Sequence, residues 1–305
     1  MKKKSTDNFG KFTRKKSNAA IKEEFKQQKR KWKKEREEFF DKKRKEQSSV
    51  QHTSANSISR PDTGNQQMPL NKFIAHAGIC ARRDAAELVK QGAVKVNNQL
   101  VTEPGFKVTA KDEVKVNGKK IFLAKNLVYI LLNKPKDFIT TTDDPQKRKT
   151  VLDLIKRATS ERVFPVGRLD RNTSGLLLLT NDGDLAQKLT HPSNEVRKVY
   201  QVTLNKPLEK NDFDQILKGI TLEDGPASVD VLAYSDLKDK TQIGVEIHSG
   251  RNRIVRRIFE HLGYDVRNLD RVMFAGLTKK NVDRGKWRYL SEKEVRDLKH
   301  FRKGK

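Results

Sequence analysis

The chain has 305 residues, a formal net charge of +27 at pH 7 and a sequence pI near 10.0. This length exceeds one average domain, so we expect two compact domains and a tail. So large a positive charge repels itself and favours a polyanionic partner, nucleic acid before an anionic membrane surface. No apolar run approaches the roughly 20 residues that span a bilayer, so we expect a soluble chain without a membrane span.

Cysteine and histidine usage argues against disulfides and metal sites. Cys80 is the single cysteine, and the basic N-terminus lacks the apolar segment of a secretory signal, which favours a cytoplasmic location. The six histidines are scattered, without Cys or acidic partners at metal-ligand spacing. The sequence contains neither a P-loop nor a dinucleotide-binding G-x-G-x-x-G turn after a strand. We therefore expect neither a metal nor a cofactor.

The first 67 residues have the composition of a tail and a linker. Residues 1–50 contain 19 Lys or Arg and 8 Asp or Glu, a net charge of +11, but few apolar residues. Such a segment cannot bury enough apolar surface to fold alone. Residues 47–67 are rich in Ser, Gln, Asn and Thr, which is typical of a linker. We expect residues 1–67 to be disordered, or to become helical on RNA.

Residues 68–125 predict a small domain of two helices followed by two hairpins. Apolar residues at helical spacing mark a first helix, with Pro69 in its first turn and Gly78 at its end. A second helix is predicted from about Arg82 to Gln91. The segments AVKVNNQLVT and DEVKVNGKKIFL then each have the pattern of strand, turn and strand.

Residues 127–298 predict a second domain of mixed α+β class. Its strand-like and helical segments alternate without the regular repeat of a parallel doubly wound fold, so we expect a mainly antiparallel sheet. The predicted strands are VYILLN, RVFPVG, LLLLTN, KVYQVTL, ASVDVLAY and QIGVEIH. The predicted helices are TVLDLIKRA, DLAQKLT, KNDFDQILKGI and RIVRRIFEHLG.

The densest signal for chemistry is the segment GRLDRNTSG at 167–175, followed by LLLL and the turn TNDG. Asp170 lies between Arg168 and Arg171 and between two glycines. Glycine permits unusual backbone angles, and the flanking cations favour the ionised carboxylate. Composition alone leaves a second interpretation open, in which Asp170 serves its own turn through a bond from side chain to backbone.

The string Gly-Arg-Leu-Asp, with Thr-x-Gly-Leu-Leu-Leu-Leu-Thr-x-Asp-Gly after it, resembles the signature of the pseudouridine synthases. The likeness is to the branch that joins an RNA-binding domain of the S-four ribosomal-protein type to the catalytic domain, and it covers about residues 68–298. It implies isomerisation of a uridine in structured RNA, without a cofactor. It also implies that Asp170 is the essential aspartate and that Arg168 helps to displace the target base.

Two further segments fit this resemblance. Lys198-Val199-Tyr200 is similar to the family's Lys-x-Tyr, which implies that the Tyr200 ring stacks on the uracil. Without the resemblance, Tyr200 would be interpreted as a strand aromatic of the core. The segment HSGRNRIVRR at 248–257 resembles the third motif, which implies that Arg251 pairs with Asp170 and that Val255 supports the tyrosine.

The third motif departs from the family pattern at two positions. Ser249 replaces the usual acidic residue and Ile254 replaces the usual glutamine, which puts the shape of the pocket rim in question. Apolar residues from Ile254 onward keep helical spacing. We expect Arg253, Arg256 and Arg257 to project away from that apolar face, the last two as phosphate contacts.

The resemblance also bears on how RNA is bound and which RNA it is. It implies that Lys72, Arg82, Arg83 and Lys90 face phosphates, whereas composition alone allows a solvated basic face. The segment GITLEDGPA at 219–227 resembles the B-type synthases that act on large ribosomal RNA more than those that act on the small one, which favours 23S ribosomal RNA. The alternatives are the same reaction on small-subunit ribosomal RNA or transfer RNA, and a non-catalytic RNA-binding factor of ribosome assembly. We expect a monomer that acts on structured RNA of an assembly intermediate.

Overall fold

The computed structural model describes residues 67–124, 126–236 and 238–301. The predicted basic tail, with all of the linker except Gln67, lies outside the described residues. Within the described ranges, no helix combines the length and the apolar character needed to cross a membrane.

The N-terminal domain packs two helices against one face of a small sheet. Its elements are β1 (Met68–Pro69), α1 (Leu70–His76), α2 (Arg82–Lys90), β2 (Val94–Val96), β3 (Gln99–Leu100), β4 (Lys107–Val108), β5 (Val114–Val116) and β6 (Lys119–Ile121). Strands β3, β2, β5 and β6 form an antiparallel sheet in that order. The two helices and the inner face of this sheet share one apolar core.

The start of α1 differs from the sequence prediction. Pro69 lies just before the first helical turn, because the backbone of Met68 and Pro69 pairs with β4 instead. The end of α1 agrees with the prediction, since Gly78 follows it in the left-handed conformation, with φ of +80°.

The second domain has eleven strands, of which nine form one mixed sheet and two form a separate hairpin. Its strands are β7 (Tyr129–Lys134), β8 (Phe164–Pro165), β9 (Ser174–Thr180), β10 (Lys198–Leu204), β11 (Ile220–Leu222), β12 (Gly225–Ala227), β13 (Val231–Tyr234), β14 (Gln242–Ile247), β15 (Val266–Phe274), β16 (Leu277–Thr278) and β17 (Trp287–Tyr289). The sheet order is β13-β14-β10-β15-β9-β7-β17, with β16 beside β15 and β8 beside β9, while β11 and β12 form a separate hairpin. Neighbouring strands are antiparallel except for β9 and β15. The predicted α+β fold with a mainly antiparallel sheet is therefore confirmed.

Helices cover both faces of this sheet. They are α3 (Val151–Leu154), α4 (Gly183–Thr190), α5 (Lys210–Lys218), α6 (Ile254–His261) and α7 (Glu292–Lys299). Strand β9 is buried along its whole length, and its leucines alternate between two cores. Leu177 and Leu179 pack into the core that includes α6, whereas Leu176 and Leu178 pack with α4 and α7. The unbroken apolar run therefore reflects burial on both faces.

The parallel pair of β9 and β15 brings two backbones very close at Gly175. A Cβ at this position would lie 2.6 Å from Oδ1 of Asp270 and closer still to the backbone N and O of Arg271. The φ of +110° is a second reason for glycine. This contact fixes where β9 begins, directly after the loop that carries Asp170.

Candidate active site

A cavity of about 770 Å³ gathers residues from four parts of the sequence. Its walls come from the loop before β9, the segment from the end of α4 to the start of β10, the segment that leads into α6, and β15. The cavity is lined by the five residues that the resemblance places at the target base, namely Arg168, Asp170, Tyr200, Arg251 and Val255.

The loop that carries Asp170 is fixed mainly through its backbone. The Thr173 N–H donates to the carbonyl oxygen of Asp170 at 3.0 Å, which closes a tight turn. The hydroxyl of Thr140 donates to the carbonyl oxygen of Leu169 at 2.9 Å, and the Asp137 N–H donates to that of Arg171 at 2.9 Å. Since the backbone bears these contacts, the Asp170 side chain is left to line the cavity.

Lys134 supports the same loop from inside the protein. This residue, the last of β7, is fully buried, and its Nζ donates to the carbonyl oxygens of Pro135, Arg171 and Thr173 at 3.0, 3.1 and 2.7 Å. Burial lowers the pKa of Lys134 to about 8, against the opposing effect of the Asp170 and Asp137 carboxylates. A buried cation therefore binds the turn and lies within electrostatic reach of the aspartate.

Arg256 supports the loop as well, which corrects the prediction for this residue. It is buried, its Nη1 donates to the carbonyl oxygen of Val266 at 2.8 Å, and its Nη2 donates to that of Asn172 at 3.3 Å. Burial lowers the pKa of Arg256, and the Asp170 carboxylate opposes that effect. The predicted role as a projecting phosphate contact is wrong, because this side of α6 faces β15 and the Asp170 loop.

Lys198 fixes the opposite wall in a similar way. Its Nζ donates to the carbonyl oxygens of His248 at 2.7 Å, Val196 at 3.0 Å and Ser249 at 3.3 Å. Burial is the main cause that lowers the pKa of Lys198 to about 8, and the nearby Arg271 guanidinium adds to it. The loop that carries the third motif is thereby tied to the start of β10.

Tyr200 belongs to the core and to the cavity at the same time. It is buried, it packs in the larger core, and it also lines the cavity. The pairing of β10 with β15 shifts register between Val199 and Tyr200. Val199 pairs with Met273 and Tyr200 with Arg271, so the extra residue of this irregularity, Val272, belongs to β15.

Arg251 has partners other than the one that the resemblance implies. Its Nε donates to Oδ2 of Asp224 at 3.0 Å, its Nη2 also bonds the Asp224 carboxylate, and its Nη1 donates to the carbonyl oxygen of Pro226 at 2.6 Å. Arg257 donates to the same carboxylate at 3.0 and 2.5 Å. The contacts of Arg251 are therefore with the turn of the β11–β12 hairpin, and its pairing with Asp170 stays a prediction.

Asp224 is a residue that the sequence reasoning missed. Side-chain hydrogen bonds from Arg257 and Arg251 hold the pKa of Asp224 far below its usual range, so this carboxylate stays ionised. In the sequence it is one acid of an acidic turn, and nothing nearby marks it as the partner of two arginines 27 and 33 positions away.

Arg271, which lines the cavity, is a second residue that was missed. It is buried on β15, and its Nε donates to the carbonyl oxygen of Leu176 at 2.8 Å. Its Nη2 is buried and has no hydrogen-bond partner in the described part of the chain. The signal available in the sequence was an arginine within the strand-like run VRNLDRVMF, at a position that the structure shows to be buried.

The predicted phosphate contacts of the small domain divide into two groups. Arg82 and Arg83 are exposed at the start of α2. Lys72 instead forms an ion pair of 2.5 Å with Asp184 of α4, and Lys90 pairs with Glu87 at 3.2 Å. A phosphate contact by Lys72 would require it to leave Asp184.

Comparisons with known proteins agree with this architecture. Residues 128–261 match the family model described as RNA pseudouridylate synthase, and residues 68–114 match the S4 domain. Ribosomal large subunit pseudouridine synthase B of Bacillus subtilis (strain 168) is 44% identical over 75% of this chain and 95% of its own length. The chain belongs to the RNA pseudouridine synthase family. This chain, called the synthase from here on, joins an S4-type RNA-binding domain to the catalytic domain. Its reaction is the intramolecular isomerisation of uridine to pseudouridine.

Two other relatives show the breadth of the likeness. The dual-specificity RNA pseudouridine synthase RluF of Escherichia coli O157:H7 is 37% identical to this chain, over 75% of this chain and 77% of its own length. A crystal structure of a pseudouridylate synthase aligns with a TM-score of 0.55 at 28% identity, over 76% of this chain and 99% of that one.

Lys134 is buried and cannot contact RNA, yet replacing it by methionine should lower both the stability and the activity of the synthase. The buried carbonyl oxygen of Thr173 and the half-buried one of Pro135 would lose this donor, while that of Arg171 would keep the Asp137 N–H. Each buried group left unsatisfied costs about 1–3 kcal/mol. We expect the free energy of unfolding to fall by about 3 kcal/mol, and the rate by roughly 100-fold because the Asp170 loop shifts. Urea denaturation and tritium release from carbon 5 of labelled uracil measure the two effects.

The matched control for this variant is Lys136→Met. Lys136 lies two residues further on, and its Nζ contacts Oδ1 of Asn268 at 2.6 Å at the exposed surface. It should keep stability and rate near those of the unmodified synthase. A folded Lys134→Met protein with normal activity would show that Lys134 does not position the loop.

Proposed function

We propose that the synthase modifies a uridine of 23S large-subunit ribosomal RNA, with Asp170 as its catalytic carboxylate. The main support for the catalytic role is the cavity in which Arg168, Asp170 and Tyr200 meet. The support for the substrate is the similarity to a relative named for the large ribosomal subunit. The alternatives are the same reaction on small-subunit ribosomal RNA or transfer RNA, and a relative described as dual-specificity is consistent with more than one kind of target in this family.

The proposed reaction begins with extrusion of the target base. A uracil within a helix is out of reach, and unstacking it costs roughly a few kcal/mol. Arg168, at the cavity wall, occupies the space that the base vacates. Basic residues around the cavity offset the cost by binding the flanking phosphates.

Within the cavity, Asp170 acts on the ribose or the base as nucleophile or general base. The bond from ribose carbon 1 to ring nitrogen 1 breaks, the uracil turns, and ring carbon 5 bonds to the ribose. The proton of carbon 5 leaves to water, and ring nitrogen 1 takes up a proton, so the atoms balance. Tyr200 holds the ring during this turn, with Val255 behind it. No electrons are gained or lost overall, so the residues of the cavity have only to position the base and move a proton.

Arg251 contributes through the wall that it shares with the hairpin. Its bonds to Asp224 and Pro226 hold the loop before α6 against the β11–β12 turn. The Asp224 carboxylate also binds Arg257, so one acid orients two cations at this side of the cavity. A direct pair between Arg251 and Asp170 would require Arg251 to exchange its partner when RNA binds.

Replacement of Asp170 by asparagine should separate binding from chemistry. The amide keeps the shape of the side chain but removes its charge, so the stabilisation of the transition state is lost while the ground-state contacts with RNA persist. Tritium release from carbon 5 should fall below detection, and affinity in a filter-binding assay should hold within roughly tenfold, about 1.4 kcal/mol.

Asp137→Asn is the control, because Asp137 is an exposed carboxylate that contacts Arg171 of the same loop at 3.3 Å. It should retain activity. Substantial tritium release by Asp170→Asn would remove Asp170 from the mechanism. Parallel loss of binding and activity would instead make Asp170 a structural residue of its turn.

The choice of RNA is tested by mapping pseudouridines in cells with and without this gene. We expect one or a few positions of 23S ribosomal RNA to lose the modification, and a plasmid copy of the gene to restore them. A plasmid copy with Asp170→Asn should not. Loss in 16S ribosomal RNA or transfer RNA would favour the alternative substrates, and an unchanged map would leave the chain without this role in the cell.

A further inference from the structure

The small domain has a solvent-facing sheet surface that the predicted RNA contacts do not use. In strands β2 and β5 the valines face the core, so Lys95 and Lys115 point outward between them. Lys95 lies directly opposite Lys115, and Lys115 lies directly opposite Lys120 of β6. Because neighbouring strands are about 4.8 Å apart, these three lysines form one row that spans roughly 10 Å.

Lysines placed opposite one another in this way repel each other. Glu113 relieves part of that repulsion, since its Oε1 lies 3.2 Å from Nζ of Lys115 and 3.7 Å from Nζ of Lys120. One carboxylate against three ammonium groups leaves a net positive row. The row is therefore stabilised further by any polyanion that binds across the strands.

An exposed aromatic ring stands at one end of this row. Phe122 follows β6 on the same face as Lys120, and 67% of its surface is exposed. The Lys120 Nζ lies 5.5 Å from the centre of the Phe122 ring. A solvated aromatic face beside a track of cations is the arrangement with which proteins bind single-stranded nucleic acid, because bases stack on the ring and phosphates contact the cations.

We propose that this surface, formed by Lys95, Lys115, Lys120 and Phe122, is a second RNA-binding site that takes an unpaired segment of RNA. One base stacks on Phe122, and the adjoining phosphates lie along the lysine row. A base-paired helix would offer its phosphates to the lysines but no free base to the ring, so the exposed ring selects unpaired nucleotides.

The site is separate from the RNA contacts expected on α2. Helices α1 and α2 share their core with the inner face of the sheet, whereas the lysine row lies on the outer face. Arg82 and Arg83 therefore approach RNA from another side of the domain. The two surfaces together would let the small domain hold a folded element and an unpaired segment that leads away from it.

Binding of a single-stranded ten-nucleotide oligoadenylate to the full-length chain tests the ring. Stacking is worth about 1–3 kcal/mol per base, so Phe122→Ala should lower affinity roughly 5- to 150-fold. Phe122→Trp should restore it. Leu100→Ala is the control, because Leu100 is an exposed apolar residue of the same sheet, 59% exposed, without a ring.

A blunt RNA hairpin without unpaired ends is the comparison probe, and its affinity should stay within about twofold in Phe122→Ala. Unchanged binding of oligoadenylate to this variant would overturn the proposal. So would an equal loss for the oligoadenylate and the hairpin, because the ring would then not distinguish unpaired bases. The readout is binding, so the result does not depend on which uridine is modified.

The charges are tested by the salt dependence of oligoadenylate binding. Replacing Lys95, Lys115 and Lys120 together by glutamine should reduce the slope of log affinity against log salt by about 0.7 for each lost phosphate contact, about 2 in total. Glu113→Gln should act in the opposite direction and raise affinity, because the carboxylate no longer competes with phosphate. An unchanged slope in the triple variant, or weaker binding by Glu113→Gln, would contradict the lysine row as the phosphate track.

Discussion

One buried and one half-buried ammonium group, each bonded to backbone carbonyl oxygens, hold two walls of the cavity. Lys134 binds the turn that presents Asp170, and Lys198 binds the loop that leads to Arg251. Each lysine ends or begins a strand of the central sheet, so the position of both walls is set by the sheet. The cavity residues lie on loops, but those loops are held by side chains of the rigid core.

The energetic balance of these lysines explains why they can lie partly or wholly out of water. Removing a cation from water is costly, and three carbonyl acceptors for each ammonium group offset that cost. The remaining penalty lowers both pKa values to about 8, from 10.5. Between pH 8 and 10.5 the unfolded chain binds more protons than the folded chain, so these groups make the free energy of unfolding rise with pH. Above pH 8 they cease to act as cations while the fold gains stability.

The sequence predicted most accurately the parts that rest on local pattern. The buried run at 176–179 and the helix that begins at Ile254 follow from periodicity, and the family motifs placed Asp170 and Tyr200 in one cavity. Local pattern does not reveal the partner of a side chain. The prediction for Arg256 was wrong because this residue is buried against β15, and the Asp224 partner of Arg251 was missed because it lies on a hairpin that folds over the start of α6. Neither contact has a local signature. Helix α7 was overlooked, although the capping box at Ser291 was a usable signal.

The pH dependence of the single-turnover rate tests most directly whether the cations of Lys134 and Lys198 keep the cavity in its active form. The rate would be measured from pH 6.5 to 9 with saturating enzyme and tritium-labelled RNA, and the free energy of unfolding would be measured in the same buffers. We expect the rate to fall with a midpoint near pH 8 while the free energy of unfolding does not decrease. A rate that stays constant up to pH 9 would contradict this account, and so would a fall that merely follows unfolding.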